Sequence, residues 1–140
     1  MDLPFGPLAA DAARGAVAVA LKANKLSGLV DDAQLASSEA ATNAVQHGSP
    51  PLILAVEWAA EPRGTATVEI TVTDGGCRRA PRPARAALPE ADAEHGRGLW
   101  IMQALSAAWS LDIGAATTRA WCRLSGSART PDAEAARRGD

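Results

Sequence analysis

From Leu52 to Asp74 the chain alternates apolar and polar residues around a single turn, and this stretch constrains the fold most tightly. Leu52, Leu54, Val56 and Trp58 alternate with Ile53, Ala55 and Glu57. After Glu61-Pro62-Arg63-Gly64, Val68, Ile70 and Val72 alternate with Thr67, Glu69, Thr71 and Thr73. A period of two with β-branched residues, on either side of a Pro/Gly turn, predicts an antiparallel hairpin. Its apolar face must be buried against a second layer. Asp74 falls in phase with Val68, Ile70 and Val72, so a strand that persists that far points a carboxylate towards the core.

The flanking segments supply that layer. Ala13, Ala16, Val17, Ala20 and Leu21 recur at steps of three and four, which predicts a helix from Leu8 to Lys25 closed by Asn24 and Gly28. A second helix is expected from a cap at Asp31 or Asp32 to His47, stopped by Gly48-Ser49-Pro50-Pro51. Periodicity is lost from Gly75 to His95, where Pro81, Pro83 and Pro89 alternate with Arg78, Arg79, Arg82 and Arg85. So long a loop is usually functional or mobile. A third helix is predicted from Arg97 to Ser106, then a hairpin of Trp109 to Ile113 and Ala120 to Leu124. Trp58, Trp109 and Trp121 are expected to pack on the sheet, and residues 125–140 to form a disordered tail beyond a 1–124 domain. The fold class expected is α/β, a two-layer sandwich with a mainly antiparallel sheet covered on one face by three helices.

Composition narrows the function classes. With 140 residues and 47% hydrophobic content, the chain is one ordinary domain with a buried core. A formal net charge of −2 gives no global attraction to nucleic acid or anionic lipid, and no aromatic residue interleaves with the loop arginines. Those arginines are an acidic-partner or phosphate contact, or a solvated loop balanced by Glu90, Asp92 and Glu94. Cys77 and Cys122 lie far apart and neither forms a CxxC, which disfavours structural zinc and a disulfide framework. The start has no signal-peptide pattern and no apolar run approaches the ~20 residues of a membrane span, so a reducing cytoplasmic home is expected.

Three local features carry chemistry. Glu39, Thr42, Asn43 and Gln46 share one face of the second helix. Taken alone such a face is usually solvated, yet a Glu and an Asn one turn apart also suit a hard cation and a water or hydroxyl. An octahedral Mg²⁺ needs few protein oxygens when phosphates supply the others. Asp74-Gly75-Gly76 is a turn at a strand end, or an inward carboxylate that accepts from a donor such as the adenine amino group. Gly96-Arg97-Gly98 opens the third helix, where free N–H groups suit phosphate, although a G-x-G alone is weak.

In this order the three resemble the histidine-kinase-like (GHKL) ATPase superfamily. Ser38-Glu39-Ala40-Ala41-Thr42-Asn43-Ala44-Val45-Gln46-His47-Gly48 is similar to its N box, Val72-Thr73-Asp74-Gly75-Gly76 to its G1 box, and Gly96-Arg97-Gly98-Leu99 to its G2 box. The compact size and the E-x-x-x-N-A-x-x-H-G form are most similar to the small anti-sigma factor serine/threonine kinases of actinobacteria. The resemblance spans about Leu8 to Leu124 and implies a Bergerat-type sandwich that binds ATP or ADP with Mg²⁺. By resemblance, Asn43 coordinates Mg²⁺, Glu39 is the general base, Asp74 accepts from adenine and Gly76 lines the base pocket. Gly96, Gly98 and the amide of Leu99 would cradle the phosphates. His47 is expected to have a structural role at the helix end.

The chain departs from the pattern at Arg78, which stands where a second G1 glycine is usual. In Thr117-Thr118-Arg119-Ala120-Trp121 the tryptophan is kept and the threonine is shifted. Relatives tend to begin with a strand that takes part in dimerisation, whereas only Met1 to Pro7 precede the first helix here, which leaves a homodimer open. The function implied is a kinase that phosphorylates a serine or threonine on an antagonist protein and sequesters a sigma factor. The alternative is a non-catalytic switch module that binds nucleotide or protein.

Overall fold

The computed structural model describes residues 1–77, 84–85 and 101–129. In chain order these form β1 (Asp2–Leu3), α1 (Ala9–Ala23), a 3₁₀ turn (Ser27–Leu29), α2 (Val30–His47), β2 (Leu52–Ala60), β3 (Thr65–Asp74) and β4 (Ala84–Arg85). Helical residues 101–105 follow, then β5 (Ala108–Ile113) and β6 (Thr118–Ser127). The sheet order is β1-β2-β3-β6-β5-β4, and each pairing is antiparallel. This is the expected two-layer α/β sandwich.

The alternating pattern does what its period requires. Leu52, Leu54, Val68, Ile70 and Val72 are buried on the face that meets the helices. Leu54 pairs with Val72 and Val56 with Ile70, so the apolar sets of the hairpin lie side by side. Helix α1 buries Ala9, Ala13, Val17 and Leu21, the four-residue ladder of an amphipathic stripe. Helix α2 packs against α1 and β3 through small residues: Ala33, Ala36, Ala40, Ala41 and Ala44, with Ser37 and Ser38. Small side chains let the helix axis lie close to the sheet.

Several local expectations are corrected. Helix α2 starts without a side-chain cap: the 3₁₀ turn runs straight into it, Leu29 is the N-cap, and Asp31 and Asp32 lie in the first turn beside the helix dipole instead. Helix α1 closes at Asn24, but the left-handed residue is Lys25 (φ 60°) and not a glycine. The Leu26 N–H reaches the Leu21 carbonyl at 2.8 Å and the Lys25 N–H reaches that of Lys22 at 3.2 Å, a Schellman closure. Gly28 serves another purpose. Its N–H bonds Ala128 O at 2.9 Å, and a Cβ there would meet Ser127 O at 2.3 Å.

That contact also corrects the end of the chain's ordered body. Strand β6 continues past Leu124 to Ser127, with Thr65 opposite Ser127 and Ala66 opposite Gly126. Ala128 is buried and its N–H bonds Gly64 O at 2.7 Å. Backbone pairing with Thr65 to Thr67 holds residues whose side chains carry no apolar pattern. Residues 130–140, the rest of the expected tail, lie outside the described residues, as does most of the 75–95 loop. Trp58 is 42% exposed and is not a packing residue, whereas Trp109 packs against the core. Trp121 is half-buried, with the Arg123 guanidinium 5.4 Å from its ring centroid. The short N-terminal strand is present: Asp2 and Leu3 pair with Ile53 and Leu52.

Candidate functional site

The C-terminal part of α2, the end of β3 and the start of β6 line a cavity of about 850 Å³. Its apolar walls are Ala40 and Ala44 from α2, Val72 from β3, Leu111 and Ile113 from β5, and Met102 from the third helix. Its polar groups among the described residues are Asn43, Gln46 and His47 from α2, Ser49, Asp74, Cys77, and Thr118 from the first position of β6. An apolar slot with a few convergent polar groups is the form of a small-molecule site.

Asp74 is the centre of it. The strand does persist to this residue, which is 4% exposed. The Gly76 N–H donates to Asp74 Oδ1 at 2.6 Å. Burial pushes the Asp74 carboxyl above the usual carboxylate range, while backbone hydrogen bonds from Gly76 and Ser49 pull it down. Close packing encloses the group as well. A Cβ on Gly48 would meet the Asp74 carboxylate carbon at 2.4 Å, and one on Gly75 would meet Pro50 O at 2.2 Å. Gly76 has φ +91°, a left-handed conformation that favours glycine.

Directly across the sheet stands Thr118, the Cα partner of Asp74. Its Oγ1 is buried and has no hydrogen-bond partner among the described residues, although the residue lines the cavity. A buried unpaired hydroxyl costs about 1–3 kcal/mol, so such a group ordinarily marks a place where a ligand or ordered water completes the bonding. The sequence shows a displaced threonine; the strand register brings it opposite the carboxylate all the same.

Of the residues expected to hold metal and phosphate, the structure describes only some. Asn43 is half-buried and lines the cavity. Glu39, also half-buried, lies one helical turn earlier on α2 and is not among the described residues lining it. Gly96, Gly98 and Leu99 lie outside the described residues, as does Arg78. Gly76 lines the cavity as expected. His47, the last residue of α2, is exposed and lines the cavity. Sequence reasoning missed Ser49, and it found Thr118 only as a departure from pattern. No cluster of three or more His, Cys, Asp and Glu side chains occurs among the described residues. A single neutral amide oxygen suits an Mg²⁺ whose other ligands are phosphate and water, and not a cation caged by protein alone.

Residues 5–123 match the family model for the histidine kinase-like ATPase domain. The chain belongs to that family. A search of curated proteins found no match. As a histidine kinase-like ATPase domain the chain is an ATP-binding unit, and the cavity beside Asp74 lies where its G1-like segment meets the C-terminal end of its N-box-like helix. No described helix of this ATPase domain is long and apolar enough to cross a membrane.

Proposed function

We propose that this ATPase domain is a Mg²⁺- and ATP-dependent protein serine/threonine kinase of the anti-sigma type. In this reading it phosphorylates an antagonist protein and sequesters a sigma factor. The observation that carries the nucleotide half is the juxtaposition in one cavity of a buried, ionisable acceptor, Asp74, and a buried hydroxyl, Thr118, without a partner among the described residues. Asp74 accepts from the adenine amino group; a guanine would present a carbonyl there. Thr118 offers its hydroxyl to the same edge of the base or to a bridging water. The apolar walls take the two faces of the ring.

Asn43 would hold Mg²⁺, which when bound neutralises phosphate charge. Glu39 takes the proton of the accepting hydroxyl, and the Gly96 to Leu99 segment cradles phosphates with backbone N–H groups. Phosphoryl transfer is mainly positioning and charge stabilisation, so this short set of groups suffices. Isothermal titration with ATP and ADP, with and without Mg²⁺, tests the binding half. Transfer of labelled phosphate to serine on co-purified candidate antagonists tests the catalytic half. The second reading is a non-catalytic nucleotide-binding switch, favoured by the position of Glu39 outside the cavity lining. Nucleotide binding without transfer to any partner selects it.

A further inference from the structure

The loop from α2 to β2 does more than end a helix. Gly48 continues α2 by one bond, its N–H reaching Ala44 O at 2.8 Å. Ser49 then engages the turn after β3 at two points. Its carbonyl accepts from the Gly75 N–H at 2.6 Å. Its Oγ donates to the Gly76 carbonyl. Gly76 in turn donates to Asp74 Oδ1 at 2.6 Å. The carboxylate, Ser49 and the Gly75-Gly76 backbone therefore form one connected set of hydrogen bonds.

Steric contact tightens the set. Gly48 has an ordinary extended conformation (φ −104°, ψ −161°), so its backbone does not demand glycine. Space demands it: any Cβ would lie 2.4–2.6 Å from the Asp74 carboxylate atoms. The missing side chain at Gly48 leaves the volume the carboxylate occupies. The other titratable groups among the described residues of this cavity are His47 on α2 and Cys77 after the turn. The Cys77 N–H bonds Gly114 O at 2.9 Å, so the turn is also tied on its far side to the β5–β6 connection.

We propose that Ser49 is a positioning residue for base recognition, its hydroxyl holding the Gly76 peptide so that the Asp74 carboxylate keeps one orientation towards the ligand. The inference rests on the reading of Asp74 as the adenine acceptor. It goes further in assigning part of the base selectivity to a side chain in the helix-terminating loop. The physical reason is that Asp74 has two oxygens and one rotatable end. With Oδ1 held by the Gly76 N–H, the second oxygen is the one left for the ligand. Without the Oγ contact, the Gly76 peptide is held on fewer sides and its N–H no longer orients the carboxylate as firmly.

The test compares Ser49→Ala and Ser49→Thr with wild type for binding of ATP and of inosine triphosphate, which carries a carbonyl in place of the adenine amino group. Ser49→Ala is expected to lower the ATP-over-inosine preference about three- to tenfold, the size of one hydrogen bond. Ser49→Thr, which keeps the hydroxyl, restores it. Loss of affinity for both nucleotides in equal proportion, or an unchanged preference, overturns the proposal. Amide exchange without nucleotide supplies the independent readout: the Gly76 N–H exchanges faster in Ser49→Ala, and at the wild-type rate in Ser49→Thr. If wild type shows no preference, the adenine assignment of Asp74 fails, and the Gly76 exchange rates alone decide whether Ser49 holds the turn.

Discussion

Asp74 and Thr118 are Cα partners across β3 and β6, the last residue of one strand facing the first of the other. Both line the cavity, one as a buried carboxylate and the other as a buried hydroxyl without a protein partner among the described residues. The sheet thus delivers an acceptor and a donor to one point, where the backbone of both strands is about to leave the ladder.

Removing the Thr118 hydroxyl should have opposite effects on the fold and on the ligand. Thr118→Val replaces a hydroxyl that has no partner among the described residues with a methyl of similar shape. The ligand-free protein is expected to gain about 1 kcal/mol, while ATP affinity falls roughly three- to tenfold. Thermal melting and titration calorimetry of the same samples measure both. A loss in melting temperature would show that the hydroxyl has a protein partner.

Asp74→Asn isolates the cost of the buried charge. The folded carboxyl titrates above its unfolded value, so its stabilising contribution is complete below the unfolded value and is lost as pH rises through the folded one. The variant should therefore be more stable than wild type at neutral pH without ligand. That advantage shrinks on acidification through the folded value and is gone below the unfolded value. Its ATP affinity should fall and its discrimination against GTP weaken. Parallel melting curves across pH check the first point; an advantage that does not change with pH removes the charge explanation.

Gly48→Ala tests the packing around the carboxylate. A Cβ there would meet Asp74 Cγ at 2.4 Å, and the backbone conformation is unstrained, so the whole effect is steric. Overpacking of this kind costs about 1–3 kcal/mol. Denaturant unfolding should show that loss together with weakened ATP binding. Full stability and full binding would mean that the carboxylate can move aside freely.

Two substitutions on one face of α2 separate binding from chemistry. Asn43→Ala should lose the Mg²⁺-dependent part of nucleotide affinity. Glu39→Gln should keep binding and lose about 10²–10⁴-fold in phosphate transfer to a serine of the antagonist, the usual share of a general base. Transfer at the wild-type rate in Glu39→Gln would return Glu39 to a solvated helix residue.

Much of this was legible in the sequence because it depends on period. The phase of Val68, Ile70 and Val72 carries through to Asp74, and the prediction that this carboxylate turns inward holds at 4% exposure. The 3.6-residue spacing of α2 likewise places Asn43 on the cavity side. What escaped depends on backbone partners that leave no side-chain pattern. Ser125, Gly126 and Ser127 belong to β6 through main-chain pairing with Thr65 to Thr67, which a polar, patternless run does not announce. Ser49 is ordinary in a turn until the fold brings Gly75 and Gly76 against it. Thr118 looked misplaced when counted along the chain, because register across a sheet is set by pairing and not by distance from a neighbouring motif.

The two thiols sit in unlike surroundings. Cys122 is buried among core residues and burial pushes its thiol pKa up, while Cys77 is half-buried on the cavity lining. A small alkylating reagent should therefore find one fast target and one slow one in the native chain. The fast rate should become a built-in occupancy gauge: a nucleotide bound in this cavity is expected to shield the sulfur, and the slowing at each concentration would trace a binding curve without any label.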